Sequence, residues 1–292
     1  MDYLGISTAI LSALSMGTVG IFAKMTGLGA EVITFFRLGL GALFILLLLL
    51  LTGRSHQLRC KVGWPVLING VLLAGFIIFY VQAMQYTTMA NAIMLVYLAP
   101  PLAALYAHFF FGERINLWGT CYIGLALCGF ALMMELRLDP AAGNHQLHGI
   151  CLGLLSTLCY AGFILINRTI SPNIPIAART LYQLLIGALV MLPLCLWSRP
   201  DLPLRLWPWL IGVGLIPGFL GILCAVISLS RLPAATFGTL AYFEPIAVVI
   251  FGWALFGEAL SSMQLTGGLL IILGGIGMSC CSAQFNTASI VE

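Results

Sequence analysis

The chain has 292 residues, of which 61% are hydrophobic and only 7% charged, and its formal net charge is +3. A soluble domain carries about 25% charged residues and about 45–50% apolar ones, so this chain cannot clothe a soluble surface and must place most of its area in lipid. The few Lys and Arg residues are scattered with no basic run, which excludes a nucleic-acid partner.

About 20 apolar residues cross the hydrocarbon core. Runs of that kind between charged or turn-rich breaks predict ten spans: 4–24, 31–52, 65–86, 89–111, 115–135, 149–168, 176–197, 207–229, 234–256 and 262–282. The first is expected to remain as a membrane helix, because Asp2 stands where a signal peptide is basic and no A-x-A cleavage pattern follows. The longest breaks, 53–64, 136–148 and 198–206, are too short to hold a soluble domain. Unpaired backbone cannot sit in lipid, so the spans are read as helices; sparse charge argues against the alternation of a barrel. Of the 9 cysteines only Cys60 lies outside an apolar stretch, and none has the spacing of a zinc site. They read as small buried side chains.

The chain repeats itself. Gly5-Ile6, Leu11-Ser12 and Lys24 recur as Gly149-Ile150, Leu155-Ser156 and Arg168. Phe36-Arg37-Leu38 and Gly41-Ala42-Leu43 match Tyr182-Gln183-Leu184 and Gly187-Ala188-Leu189. Trp64-Pro65 and Gly75-Phe76 match Trp207-Pro208 and Gly218-Phe219. Tyr97, Pro100 and Phe111-Gly112-Glu113 match Tyr242, Pro245 and Phe256-Gly257-Glu258. The offsets stay between 143 and 146, which predicts one five-helix unit over 4–135, a connection over 136–148, a second unit over 149–282 and a tail over 283–292. Five crossings end on the side opposite their start, so the second unit is expected upside down relative to the first, a common build for secondary transporters. With both termini inside, the cytoplasmic loops hold Arg54, Arg59, Lys61, Arg114, Arg168, Arg179 and Arg231, against Lys24, Arg137, Arg199 and Arg205 outside. That excess favours cytoplasmic termini.

The motifs Phe35 to Leu43, Tyr86 to Ala92 running into Tyr97 to Pro101, Phe111 to Arg114, Leu232 to Ala235, Tyr242 to Pro245 and Phe256 to Ala259 together resemble the drug/metabolite transporter superfamily, and within it the ten-helix EamA-type family. The resemblance covers about residues 4–282. It implies efflux or uptake of amino acids, nucleosides, sugars, vitamins or drugs across the inner membrane, driven by a proton or substrate gradient. It also implies that four helices of each half surround a central cavity, with the fifth packed outside. The chain departs from the pattern at His108, matched by Trp253, and at Ala99, matched by Glu244. Only one candidate acid is therefore available.

Glu244 leads the candidate binding residues. It lies near the midpoint of a span with no other charge, where an ionised acid costs on the order of 2.5–3.5 kcal/mol on insertion scales. Its reading is a proton or substrate-amine site. Arg37, some five residues into its span, either points inward to an anionic group or to Glu244, or snorkels to headgroups. Its repeat mate Gln183 is polar and uncharged. Pro100, Pro101 and Pro245 break helices at matched places, which points to a transporter's site; Pro217, unmatched, reads as packing. Tyr97 and Tyr242 are matched beside those prolines; Asn91, Tyr80, Tyr106, Tyr160, Tyr182, Gln82 and Gln85 are further polar candidates on an equal footing. Asn116 and Ser261-Ser262 look like helix caps. Glycines from 267 to 277 permit a close helix approach, within the chain or to a second copy.

The expectation is a secondary transporter working by alternating access, a proton-coupled or exchange-type exporter of small metabolites such as amino acids. No Walker-type motif is present, and His56, His108, His145 and His148 are dispersed, so neither ATP hydrolysis, a metal or cofactor, nor enzymatic chemistry is expected. The partners are the lipid bilayer, a small-molecule substrate and protons; monomer and homodimer both stay open. A flippase for a lipid or lipid-linked sugar, or a non-transporting sensor on the same scaffold, is the alternative. The topology is checked by impermeant thiol labelling of Cys60 and of Arg205→Cys: the two are expected to react from opposite faces, and reaction from one face would remove the inverted arrangement.

Overall fold

A computed structural model describes residues 2–86, 89–112, 116–133, 144–257 and 261–288. The apolar runs become helices because, in a chain with so few exposed polar partners, each amide must be satisfied within its own segment. In chain order these are α1 (Tyr3–Thr26), α2 (Ala30–Leu51), α3 (Trp64–Tyr86) and α4, in two pieces (Met89–Val96 and Ala99–Phe110). Then follow α5 (Leu117–Met133), α6 (Asn144–Thr169), α7 (Ile176–Trp197), α8 (Leu204–Leu229), α9 (Ala234–Phe256) and α10 (Ser262–Ala288). No strand occurs among the described residues. Seven of these helices are long and apolar enough to cross a membrane; α4 is broken, and the apolar parts of α5 and α10 are shorter. The protein is an all-α, polytopic membrane protein.

Local chemistry sets the helix ends. The Asp2 carboxylate accepts from the Gly5 amide at 3.0 Å to cap α1, and Asn116 accepts from the Gly119 amide at 2.7 Å to cap α5. Before α10, the Ser261 hydroxyl accepts from the Gln264 amide while the Gln264 side chain accepts from the Ser261 amide, both at 3.1 Å. This is a reciprocal capping box. Gly112 and Gly257 close α4 and α9 at φ 68° and 66°, a left-handed conformation that a Cβ would strain. Glu113 and Glu258, expected beside these caps, lie outside the described residues.

The ends of α1, α6, α8 and α9 meet on one face, here the near face, where Asp2 pairs with Arg231 at 3.6 Å. There Arg168 donates to the carbonyls of Leu229 and Leu232. Arg168 and Arg179, counted above with the loops, stand inside α6 and α7. Their guanidiniums bond backbone carbonyls of the bundle, Arg179 to that of Val226 at 3.0 Å, so they are poor reporters of headgroup contact. On the far face Lys24 lies 3.8 Å from the Phe256 ring centroid, and Phe22 and Phe36 meet Trp209 and Trp207 edge-on.

Helix partners are chosen across the two halves. The helix α2 packs along α7, α4 along α9 and α5 along α10, while α1 packs on α8 and α3 on α6. Matched serines fasten the last two pairs: Ser12 donates to the Gly221 carbonyl at 2.8 Å, and Ser156 to that of Phe76 at 2.6 Å. Glycine permits the tightest crossings. A Cβ on Gly129 would stand 2.6 Å from the Gly267 carbonyl, and one on Gly274 would stand 2.9 Å from that of Tyr122, so these α10 glycines serve a contact within the chain. Inside α8 the segment Gly214–Gly221 winds as a π-helix around Pro217, whose missing amide breaks the ordinary register. It presses Gly218 against α2, where a Cβ would stand 2.2 Å from the Arg37 carbonyl.

Because that neighbour is backbone, Gly218→Ala forces α2 and α8 apart and is expected to destabilise by about 1–3 kcal/mol. Gly20→Ala, with nothing within 4 Å of the added carbon, is expected to be neutral or slightly stabilising. Thermal unfolding of the two variants in detergent checks this; equal midpoints would refute the tight crossing.

Candidate functional site

The site begins with the prolines. Pro100 and Pro101 occupy the first turn of the second piece of α4, and Pro245 the first turn of Phe243–Phe256, the second piece of α9. That is where a helix tolerates a residue without an amide proton. Each break strands a carbonyl in the membrane interior, and in hydrocarbon such a group must be paired. Pro101 cannot serve the Tyr97 carbonyl, which instead accepts the Tyr242 hydroxyl at 2.6 Å. Thr157 of α6 likewise donates to the Leu95 carbonyl at 2.6 Å. The Tyr97 and Tyr242 rings stack at 5.5 Å between centroids, with Phe130 of α5 packed 4.6 Å from Tyr97 and 5.7 Å from Tyr242. Gly238 lies against Pro100, so the two broken helices cross at their breaks.

Glu244 follows directly. It stands in the first turn after the α9 break, where open backbone amides and the positive end of a helix dipole favour a carboxylate. Ten residues from Ala234 it is about 15 Å along the helix, half of a core about 30 Å thick. The Tyr97 hydroxyl donates to its carboxylate. Arg37 of α2, Tyr80 of α3 and Tyr160 of α6 face the same carboxylate, and Phe76 stacks on Tyr160 at 5.1 Å. Arg37 is 8% exposed. It points inward and does not snorkel, and its Nε has no partner. Glu244, Tyr80 and Tyr160 retain partial exposure at this depth, so they border an internal space. A cleft of about 240 Å³ opens on the far face between α2, α3 and α7, with Glu31, Gln82, Trp197 and Ser198 among its lining. Such a site offers an acceptor for an amine, a guanidinium for a carboxylate and aromatic faces for a side chain.

Of the residues singled out in the sequence, Glu244, Arg37, Tyr97, Tyr242 and the three prolines come together. Gln183 stands apart, its amide donating to Asn167 at 3.1 Å. The side chain of Asn91 lies outside the described residues. Tyr80 and Tyr160 had no stronger sequence signal than other intramembrane tyrosines, and Phe130 had none, because one aromatic in an apolar helix looks like any other.

A family model described as the EamA-like transporter family matches residues 3–135 and again 147–280. The chain belongs to the EamA-like transporter family. An uncharacterized transporter of Archaeoglobus fulgidus is 30% identical over 275 residues, covering 92% of this chain and 94% of its own length. The pseudopaline exporter of Pseudomonas aeruginosa is 27% identical, covering 94% and 95%. The threonine/homoserine exporter of Escherichia coli K12 is 28% identical, covering 85% and 81%. A crystal structure superposes with a TM-score of 0.84 at 19% identity, over 96% of this chain and 98% of the other, which speaks to the fold alone. This EamA-like protein is accordingly a small-molecule transporter and not an enzyme.

The tyrosine bridge has a measurable worth. Tyr242→Phe leaves the Tyr97 carbonyl buried without a donor, which costs about 1–3 kcal/mol, whereas Tyr106→Phe, at a side chain 44% exposed, is expected to cost little. The detergent-solubilised variants should differ in thermal midpoint accordingly; coincident midpoints would dismiss the bridge as a stabilising contact.

Proposed function

We propose that this transporter is a secondary exporter of small zwitterionic metabolites, amino acids and their relatives, across the inner membrane. The observation that carries this reading is the mid-membrane meeting of Glu244 with Arg37 and Tyr97. The two charges offset each other through space, without an ion-pair contact between them. A zwitterion can bridge them by matching its ammonium to Glu244 and its carboxylate to Arg37, so no net charge is stranded on loading. One of the similar exporters is named for molecules of this kind, threonine and homoserine.

The cycle in this reading is alternating access between two inverted halves. Its supports are the offset motifs, the two family matches and the pairing of helices across the halves, including the matched Ser12 and Ser156 bonds. The near face is the cytoplasmic one and carries both termini. Glu244 is the coupling group: one carboxyl takes either a proton or the substrate's ammonium, which links export to proton entry. At about 100 mV each coupled charge supplies about 2.3 kcal/mol, sufficient for a useful concentration gradient.

The test is threonine flux in proteoliposomes. Native protein is expected to show flux that changes between about pH 5 and about pH 8, and Glu244→Gln, still folded, is expected to show little flux and no pH dependence. If the variant keeps the native pH profile, Glu244 is not the coupling group.

A further inference from the structure

Toward the near face, α3, α6, α7 and α8 bury a second polar set that the cycle around Glu244 does not use. Asn69, Asn167, Arg179, Gln183 and Ser228 are exposed by no more than 2%. Arg179 and Gln183 stand one turn apart on one face of α7. Gln183 reaches Asn167 of α6, and Arg179 donates one nitrogen to the Val226 carbonyl of α8, two residues before Ser228. Asn69 precedes Gly70, at which a Cβ would stand 2.9 Å from the Gln183 carbonyl. Much of the set's bonding capacity is unused: Arg179 Nε, both polar atoms of the Asn69 amide, Gln183 Oε1 and Ser228 Oγ lack partners. Among the described residues no carboxylate stands at ion-pair distance from Arg179.

Burying a guanidinium without a counter-charge costs several kcal/mol, and each orphaned polar atom adds to that. A packing role alone would be served better by apolar side chains of similar volume. The free groups are of defined chemistry: a guanidinium N–H, an amide NH₂ and a hydroxyl, all of which suit a carboxylate, beside two amide oxygens that suit an ammonium or hydroxyl. Arg179 lies three residues into α7 from the near face and Arg37 seven residues into α2 from the far face. These helices pack along one another, so Arg179 stands near the near-face end of the pair and Arg37 deeper, two turns in from the other end.

We infer that Arg179, with Asn69, Gln183 and Ser228, forms an entry station that takes the carboxylate of the exported molecule from the near face before it passes to Arg37 and Glu244. The inference rests on the export reading above. The helices are closed over the station in this structure, and it fills when their near-face ends part. Asn167 positions Gln183.

Two measurements separate this from a packing role and from the substrate assignment. In membrane vesicles of each orientation, Arg179→Gln is expected to raise half-saturation for threonine supplied at the near face about tenfold, the scale of one lost bond to a charged group. At the far face it should change little. The inhibition constant of 1-amino-2-propanol, which lacks the carboxylate, against threonine flux is expected to be unaltered at both faces, and Arg179→Lys is expected to recover part of the loss. Separately, the thiol introduced by Ser228→Cys, followed by peptide mass mapping, is expected to react from the near face only. It should react faster with the anionic sulfonatoethyl methanethiosulfonate than with the cationic trimethylammonioethyl reagent, and lose that preference when Arg179→Gln is added. A thiol that stays inert, or that shows no charge preference, overturns the station, as do equal threonine shifts at both faces. If threonine is not moved by native protein while the thiol behaves as stated, the station stands and the amino-acid reading falls.

Discussion

Hydrocarbon offers no hydrogen bonds, and that constraint organises this molecule more than any single contact. A continuous helix satisfies it automatically. The protein gives up that safety at two matched places, Pro100-Pro101 and Pro245, and must then find donors for stranded carbonyls. The Tyr242 hydroxyl on the Tyr97 carbonyl is the answer at α4, while the Leu95 carbonyl accepts from both the Leu98 amide and the Thr157 hydroxyl. In exchange the breaks supply open amide ends in mid-membrane, which is where Glu244 sits. The acid, the breaks and the tyrosines are one arrangement.

Much of this could be read from the residues. Span boundaries followed from apolar run length, because a bilayer of fixed thickness filters sequence strongly. Proline spacing located the breaks, and an isolated acid in an apolar span singled out Glu244, since charge in hydrocarbon is costly. Caps at Asn116 and Ser261 were legible because capping is local chemistry. What stayed hidden depends on rotation about helix axes. Whether Arg37 turns inward, whether Gln183 joins Glu244 or binds Asn167, and which of many tyrosines faces the acid are decided by crossings such as Gly218 on the Arg37 carbonyl. No span-length pattern encodes them. The π-turn at Pro217 is such a case: a proline read as packing is buried, and Gly218 beside it lies against the Arg37 carbonyl of α2.

The single acid also sets the electrostatics. Ala99 occupies the place in the first half that Glu244 occupies in the second, so the two breaks are alike in backbone and unlike in charge. Arg37 and Gln183 show the same inequality on the matched helices α2 and α7. Each half keeps the shared framework of serines, prolines and glycines, while the charged groups are divided between them. A scaffold built on a repeated motif has thereby become chemically one-sided.

The backbone-to-backbone passage of α10 over α5, at Gly129 with Gly267 and at Gly274 with Tyr122, bears on what can enter or leave sideways. An acyl chain or a sterol needs a furrow several ångströms wide, and main chains in van der Waals touch leave none. That seam is welded shut to lipid. The flank between α2, α3 and α7, by contrast, already stands open at its far-face end.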